Sequence, residues 1–259
     1  MPRLKIALRV ESLGLGSKAG IVAAGELGLE GVELDGVRGD TTPENLSRTG
    51  RREVMRFITS RRLQICSLNG DLGIPFTDPR RAEEVVDRIR QIVELAVDLG
   101  TFVIVAPGVP APAKEPTEAE EVAAQLLRDI ARMAANYARC IAVRTGLNDG
   151  ATMGAFLDGV GEGVRAAYDP AALLTGGLDP VKTAGQLGKR IAHVYARDAV
   201  GPGTGRARVV PLGEGNVSFS EVLGALDGAG YGGFFVVESE PGQASMPRAQ
   251  SAARFLRQF

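Results

Sequence analysis

Eight short apolar runs, many rich in β-branched residues, alternate along this chain with longer segments of helical period. They cover residues 4–10, 31–34, 63–68, 102–106, 140–145, 164–168, 191–196 and 233–238. Strands that alternate with helices predict βα units around a parallel sheet, because the crossover helix returns the chain to the same edge of the next strand. Eight units predict closure into a single (β/α)8 TIM barrel. Such barrels run to about 250 residues, so one domain spanning residues 1–259 accounts for the whole chain.

The punctuation between the runs agrees. Asp78 is placed to cap a helix whose apolar stripe Val86, Ile89, Val93 and Ala96 ends at Gly100. Thr117 with Glu120 and Ser218 with Glu221 both have the spacing of a capping box. Asp179-Pro180 reads as an N-cap followed by proline in the first helical position. Pro107, Pro110, Pro112 and Pro116 make the stretch after the fourth run a stiff loop, with no domain boundary there. Gly201-Pro202-Gly203-Thr204-Gly205 reads as a lid after the seventh run or as a phosphate cradle.

Composition removes several function classes. Lys and Arg number 30 against 31 Asp and Glu, a formal charge of −1, so no general field draws the chain to nucleic acid or to an anionic membrane. Two cysteines, Cys66 and Cys140, are too few for a disulfide framework or a tetrathiolate zinc site, and a cytoplasmic location is expected. The start shows no apolar leader, and no run is long enough to span a bilayer. His193 is the single histidine, which argues against zinc or iron sites built from several imidazoles. No Gly-x-Ser-x-Gly elbow accompanies it.

At the strand ends the residues become specific: Gly31-Val32-Glu33-Leu34, Tyr168-Asp169-Pro170, the stretch from His193 to Asp198, Pro211-Leu212-Gly213-Glu214-Gly215, and Gly230-Tyr231-Gly232-Gly233 leading to Val237-Glu238. In this order they resemble the xylose isomerase-like TIM-barrel family of sugar isomerases and epimerases, which includes endonuclease IV. The resemblance implies a divalent metal held by a Glu, an Asp, a His and a Glu ending strands five to eight. Carried over, the Asp falls on Asp169 and the last Glu on Glu238. The strand-five Glu falls on Arg144, the strand-seven His on Tyr195, and a second His that often follows the Asp falls on Ala172. A guanidinium keeps its proton in a protein and repels a cation. The expectation is therefore no divalent metal and no other cofactor.

Two readings of Arg144 stay open: a structural cation between two carboxylates, or a fixed charge that stabilises an enediolate or holds an anion. The first functional reading is a metal-free sugar isomerase or epimerase that moves a proton beside a carbonyl. Glu238 acts on the proton, Arg144 replaces the metal, and Asp169 and Tyr195 complete the catalytic set. Glu33, Arg9, Asn69, Arg197, Asp198 and His193 are expected to line the substrate, with Arg38 and Asp71 nearby. His193, two residues before Tyr195, should lie one layer deeper in the barrel. Arg9, Arg38, Arg144 and Arg197 would make the mouth locally cationic, which suits a sugar or an anionic metabolite. The alternative is a pseudoenzyme that binds such a ligand without chemistry. The resemblance also implies a homo-oligomer, and the near-neutral charge leads to the expectation of no nucleic-acid or membrane partner.

Overall fold

The computed structural model describes residues 3–201, 207–238 and 246–259. The barrel strands are β1 (Lys5–Arg9), β2 (Gly31–Asp35), β3 (Gln64–Asn69), β4 (Val103–Ala106), β5 (Cys140–Arg144), β6 (Val164–Tyr168) and β7 (Ile191–Ala196). A small antiparallel hairpin follows, β8 (Asp198–Val200) and β9 (Arg208–Val210), and then the last barrel strand, β10 (Phe234–Val237). The eight barrel strands are parallel and close in the order β1-β10-β7-β6-β5-β4-β3-β2. This is a (β/α)8 barrel, with the hairpin as an addition that the sequence pattern does not announce.

The helices behave largely as their caps require. Thr117 forms the full capping box with Glu120 at the start of α4 (Glu118–Asn136). Asp179 caps α7 (Pro180–Leu187) through the Lys182 amide. Asp78 caps a single 3-10 turn, Pro79–Arg81, and α3 (Ala82–Asp98) continues from it. The box expected at Ser218 does not form: no side-chain cap is made at α8 (Phe219–Gly228). Ser218 has ψ 76°, whereas Thr117 has ψ 157°, so its hydroxyl is not aimed at the first amides of the helix.

Small side chains inside the barrel make room for the site. Ala7, Ala142, Ala167 and Val236 pack around Tyr195 in an interior cluster distinct from the larger layer between strands and helices. Two residues further along each strand, the same inward face carries Arg9, Arg144, Asp169 and Glu238, because side chains on one face recur every second residue. The apolar floor and the charged mouth are therefore products of one alternation. Gly31 lets β1 and β10 close over β2, since a Cβ there would meet the Phe234 ring at 2.7 Å.

The stiff loop after β4 is held by Asn148, whose amide donates to Val109 O at 3.2 Å and accepts from Ala111 N at 3.2 Å. Of the glycine-rich run, residues 202–205 lie outside the described residues, so the lid and phosphate-cradle readings fall there. Among the described residues no helix is long and apolar enough to cross a membrane. Both Cys66 and Cys140 are free thiols.

Candidate active site

The C-terminal ends of the strands bring three arginines and four carboxylates together. Register sets the neighbours: β1 pairs Ala7 with Val236 of β10, and β10 pairs Val236 with Tyr195 of β7. Two residues on, Glu238 stands between Arg9 and Arg197. Glu238 Oε1 accepts from Arg9 Nη1, and Oε2 accepts from Arg144 Nη2. Arg197 Nε lies 3.2 Å from Oε2. Asp169 Oδ2 accepts from Arg144 Nε at 2.9 Å and from Arg197 Nη1, while Oδ1 accepts the Ala172 amide at 3.0 Å and caps α6 (Pro170–Thr175).

Arg144 thus lies between Asp169 and Glu238, one N–H on each. Its guanidinium also stacks 4.0 Å above the Tyr195 ring, a cation–π contact. Its side chain is 24% exposed, against 9% for Glu238 and 0% for Asp169. Burial favours the neutral form of both carboxylates. The guanidinium groups outweigh it and hold Asp169 and Glu238 below the ordinary carboxylate range. Arg144 is itself held well above its ordinary value by the same two carboxylates, which outweigh its own burial.

One layer deeper the chemistry changes. Glu33 accepts from Ser67 Oγ at 2.7 Å and from Tyr195 OH at 3.2 Å, with Arg9 Nε at 3.6 Å. Burial dominates there and pushes the Glu33 carboxyl up despite Arg9. His193 lies beside it, with Nε2 3.3 Å from Glu33 Oε2 but out of line for a hydrogen bond. Burial, aided by Arg144 and Arg9, pushes the imidazole down to about 3, so this contact is not an ion pair at neutral pH. His193 meets Tyr195 edge to face at 4.5 Å.

Several sequence expectations change. Tyr195 and Glu33 are fully buried under the arginines, so they support the site from below and do not line it. His193 and Asn69 are likewise buried, Asn69 donating to Asp35 Oδ2 at 3.1 Å. Asp198 does not pair with Arg197. Its oxygens accept the amides of Ala199, Val217, Gly213 and Gly215 at 2.8, 3.1, 3.0 and 2.9 Å. It anchors the loop after β9 to the start of the hairpin, and a Cβ at Gly215 would collide with it. Arg38 is exposed and outside the network. The mouth is not a bare cationic surface, because Glu33, Asp35, Asp169 and Glu238 answer Arg9, Arg144 and Arg197. Arg9, Arg144, Arg197, Asp169 and Glu238 do converge.

Sequence reasoning passed over Asp35, which lies 3.5 Å from Arg9, and Ser67, which holds Glu33. The signal was available: Asp35 is two residues after Glu33 and Ser67 two before Asn69, each on one inward face. A cavity of about 40 Å³ opens beside Glu238 and Arg197, walled by the hairpin and by Arg248 of α9 (Met246–Leu256).

A divalent metal does not fit these residues. Both carboxylates are already engaged by guanidinium groups, and the Tyr195 hydroxyl is committed to Glu33. Among the described residues no group of three or more His, Cys, Asp or Glu could hold a metal ion.

A parallel eight-stranded barrel with charged groups gathered at the strand ends defines a TIM-barrel protein. The sequence model of the xylose isomerase-like TIM barrel family matches residues 21–259, and the chain belongs to that family. Among solved structures, a xylose isomerase domain protein from Planctomyces limnophilus is similar at TM-score 0.84 and 19% identity, covering 98% of this chain and 96% of that one. A D-tagatose 3-epimerase-like protein is similar at TM-score 0.81 and 19% identity, with the same coverage. The IOLI protein, solved with a bound zinc atom, is similar at TM-score 0.79 and 17% identity, again over 98% of this chain and 96% of that one. No functionally curated protein sequence matches the chain.

Proposed function

We propose that this chain is a sugar isomerase or epimerase that moves a proton on the carbon next to a carbonyl, with the Arg144 guanidinium in place of the family's divalent metal. The observation that carries the proposal is the insertion of Arg144 between Asp169 and Glu238, one N–H on each carboxylate. The charges are balanced within the site, which favours a neutral, polyhydroxylated substrate over an anionic metabolite.

Glu238 is held ionised by Arg144, Arg197 and Arg9, and an ionised carboxylate can accept a proton. Its depressed pKa makes it a weak base taken alone. The ion pair offsets this. As Glu238 takes the proton it becomes neutral, and the guanidinium charge that faced it turns to the oxyanion forming on the substrate. Positive charge is thus in place before the reaction and needs no solvent reorganisation.

The alternative is a closed network that binds a sugar without chemistry. Incubation with ketohexoses such as D-tagatose in deuterated water separates the two. The proposal expects deuterium to enter the carbon beside the carbonyl, and Glu238→Gln to stop it. It also expects elemental analysis of the purified protein to find no stoichiometric divalent metal. Unchanged exchange in the variant, or one metal per chain, would defeat it.

A further inference from the structure

We infer that the opposite, N-terminal end of the barrel holds a second ligand site, which takes a nucleoside monophosphate: a phosphate group carried by a flat ring. It is independent of the reading of Glu238, because the interior cluster around Tyr195 separates the two ends.

The site is a recess of about 360 Å³, in the range of small-molecule pockets, which run from about 300 to 1,000 Å³. Its walls are Phe102 just before β4, Arg165 of β6, Lys189 and Ile191 at the start of β7, and the turn from Gly230 to Gly233 before β10. Arg165 continues the inward alternation of Ala167 and Asp169 to the far end of the strand, where it meets solvent.

Charge points to an anion. Arg165 and Lys189 are exposed, and no acidic side chain shares the lining with them. Arg165 Nη1 donates to the Lys189 carbonyl at 2.9 Å, and neither residue enters an ion pair among the described residues. At the mouth every arginine of the network meets a carboxylate; here the two cations are unanswered. A phosphate monoester, with a charge of about −2 near neutral pH, balances them.

The backbone beside them points the same way. The Gly230 and Tyr231 amides are taken by the Asp227 and Leu226 carbonyls, but the Gly232 and Gly233 amides have no hydrogen-bond partner among the described residues. Lys5 Nζ holds the Gly232 carbonyl at 3.2 Å. Two successive amides next to two cations make a phosphate cradle. The fold itself does not demand glycine at 232: its φ lies outside the left-handed region, and a Cβ there would meet nothing. The missing side chain keeps the recess open to a ligand.

The apolar part of the recess suits a ring. Phe102 stands 50% exposed in its wall, beside Ile191 and Ala192. A nucleobase stacks on such an aromatic face, and does so without regard to its sequence identity.

Isothermal titration of the full chain with AMP, adenosine and inorganic phosphate tests the inference. Saturable binding of AMP is expected, with adenosine and phosphate each weaker by about tenfold or more. Arg165→Ala and Lys189→Ala should each weaken AMP by about tenfold. Phe102→Ala should weaken AMP and adenosine by about the same factor and leave phosphate unchanged. All three side chains are exposed, and the melting temperature of each variant checks that it folds. Absence of AMP binding, or AMP binding unchanged in Arg165→Ala and Lys189→Ala, overturns the inference. So does loss of AMP binding in Arg197→Ala alone, which would put the nucleotide at the mouth. Phosphate bound as tightly as AMP, with Phe102→Ala without effect, overturns the nucleotide assignment. None of these results touches proton transfer at Glu238, so failure here leaves the proposed function standing.

Discussion

Glu238 and Glu33 are the same residue type on one inward-facing surface, one layer apart, and they titrate in opposite directions. Glu238, at the mouth, meets guanidinium groups on both oxygens and is held below the ordinary range. Glu33, beneath it, meets hydroxyls, with one guanidinium at 3.6 Å, and burial lifts it. Burial acts the same way on both, and the partners decide the sign. The upper layer is therefore charged, and the lower one a largely neutral scaffold.

The most severe way to break this contrast is Arg144→Ala. It leaves Asp169 and Glu238 with one fewer cation while both remain buried. The expected loss is about 3–5 kcal/mol in urea denaturation at neutral pH, the usual cost of stranding a buried charge. A loss below about 1 kcal/mol would show that Arg9 and Arg197 suffice alone.

A finer test sets the two glutamates against each other across pH. Because the folded pKa of Glu238 is lowered, its contribution to stability is present above its unfolded pKa and fades as pH falls through the folded one. Glu33 has a raised folded pKa, so its contribution is full below the ordinary value of 4.5 and is lost as pH rises through the folded value. Urea midpoints measured over a pH series should show that Glu238→Gln removes part of the acid-side loss. Glu33→Gln should remove part of the loss on the rising side. The same sign in both variants would contradict the layered arrangement.

The smallest effect is expected from Tyr195→Phe. The ring under Arg144 stays and only the hydroxyl given to Glu33 is lost, so denaturation should report about 1 kcal/mol. Tyr195→Leu removes the platform as well and should cost more.

The periodic part of this molecule was legible in the sequence. Residues 164–168 and 191–196 coincide with β6 and β7, and the other runs differ from their strands by a residue or so at an end. The same period of two puts Arg144, Asp169, Arg197 and Glu238 at the mouth. Their pairings were not legible. Whether Arg197 turns to Asp198 or to Asp169 depends on side-chain direction and on four backbone amides that claim Asp198 first. The cap at Ser218 failed for a similar reason, since residue spacing does not report ψ. Local patterns give the faces, and competition for partners in three dimensions decides the contacts.

The grip of Arg9 and Arg144 on one carboxylate also bears on how the chain reaches its native state. Arg9 and Glu238 are 229 residues apart in sequence, and Arg144 and Glu238 are 94 apart. Strands β1 and β5 lie on opposite sides of the ring. The contacts to Glu238 therefore need the last strand in place, so they are late events in a fold dominated by distant pairings. A nascent chain that has emerged only through β9 holds Arg9, Arg144 and Arg197 without Glu238, and β1 without its β10 neighbour. Synthesis of the final strand supplies both at once.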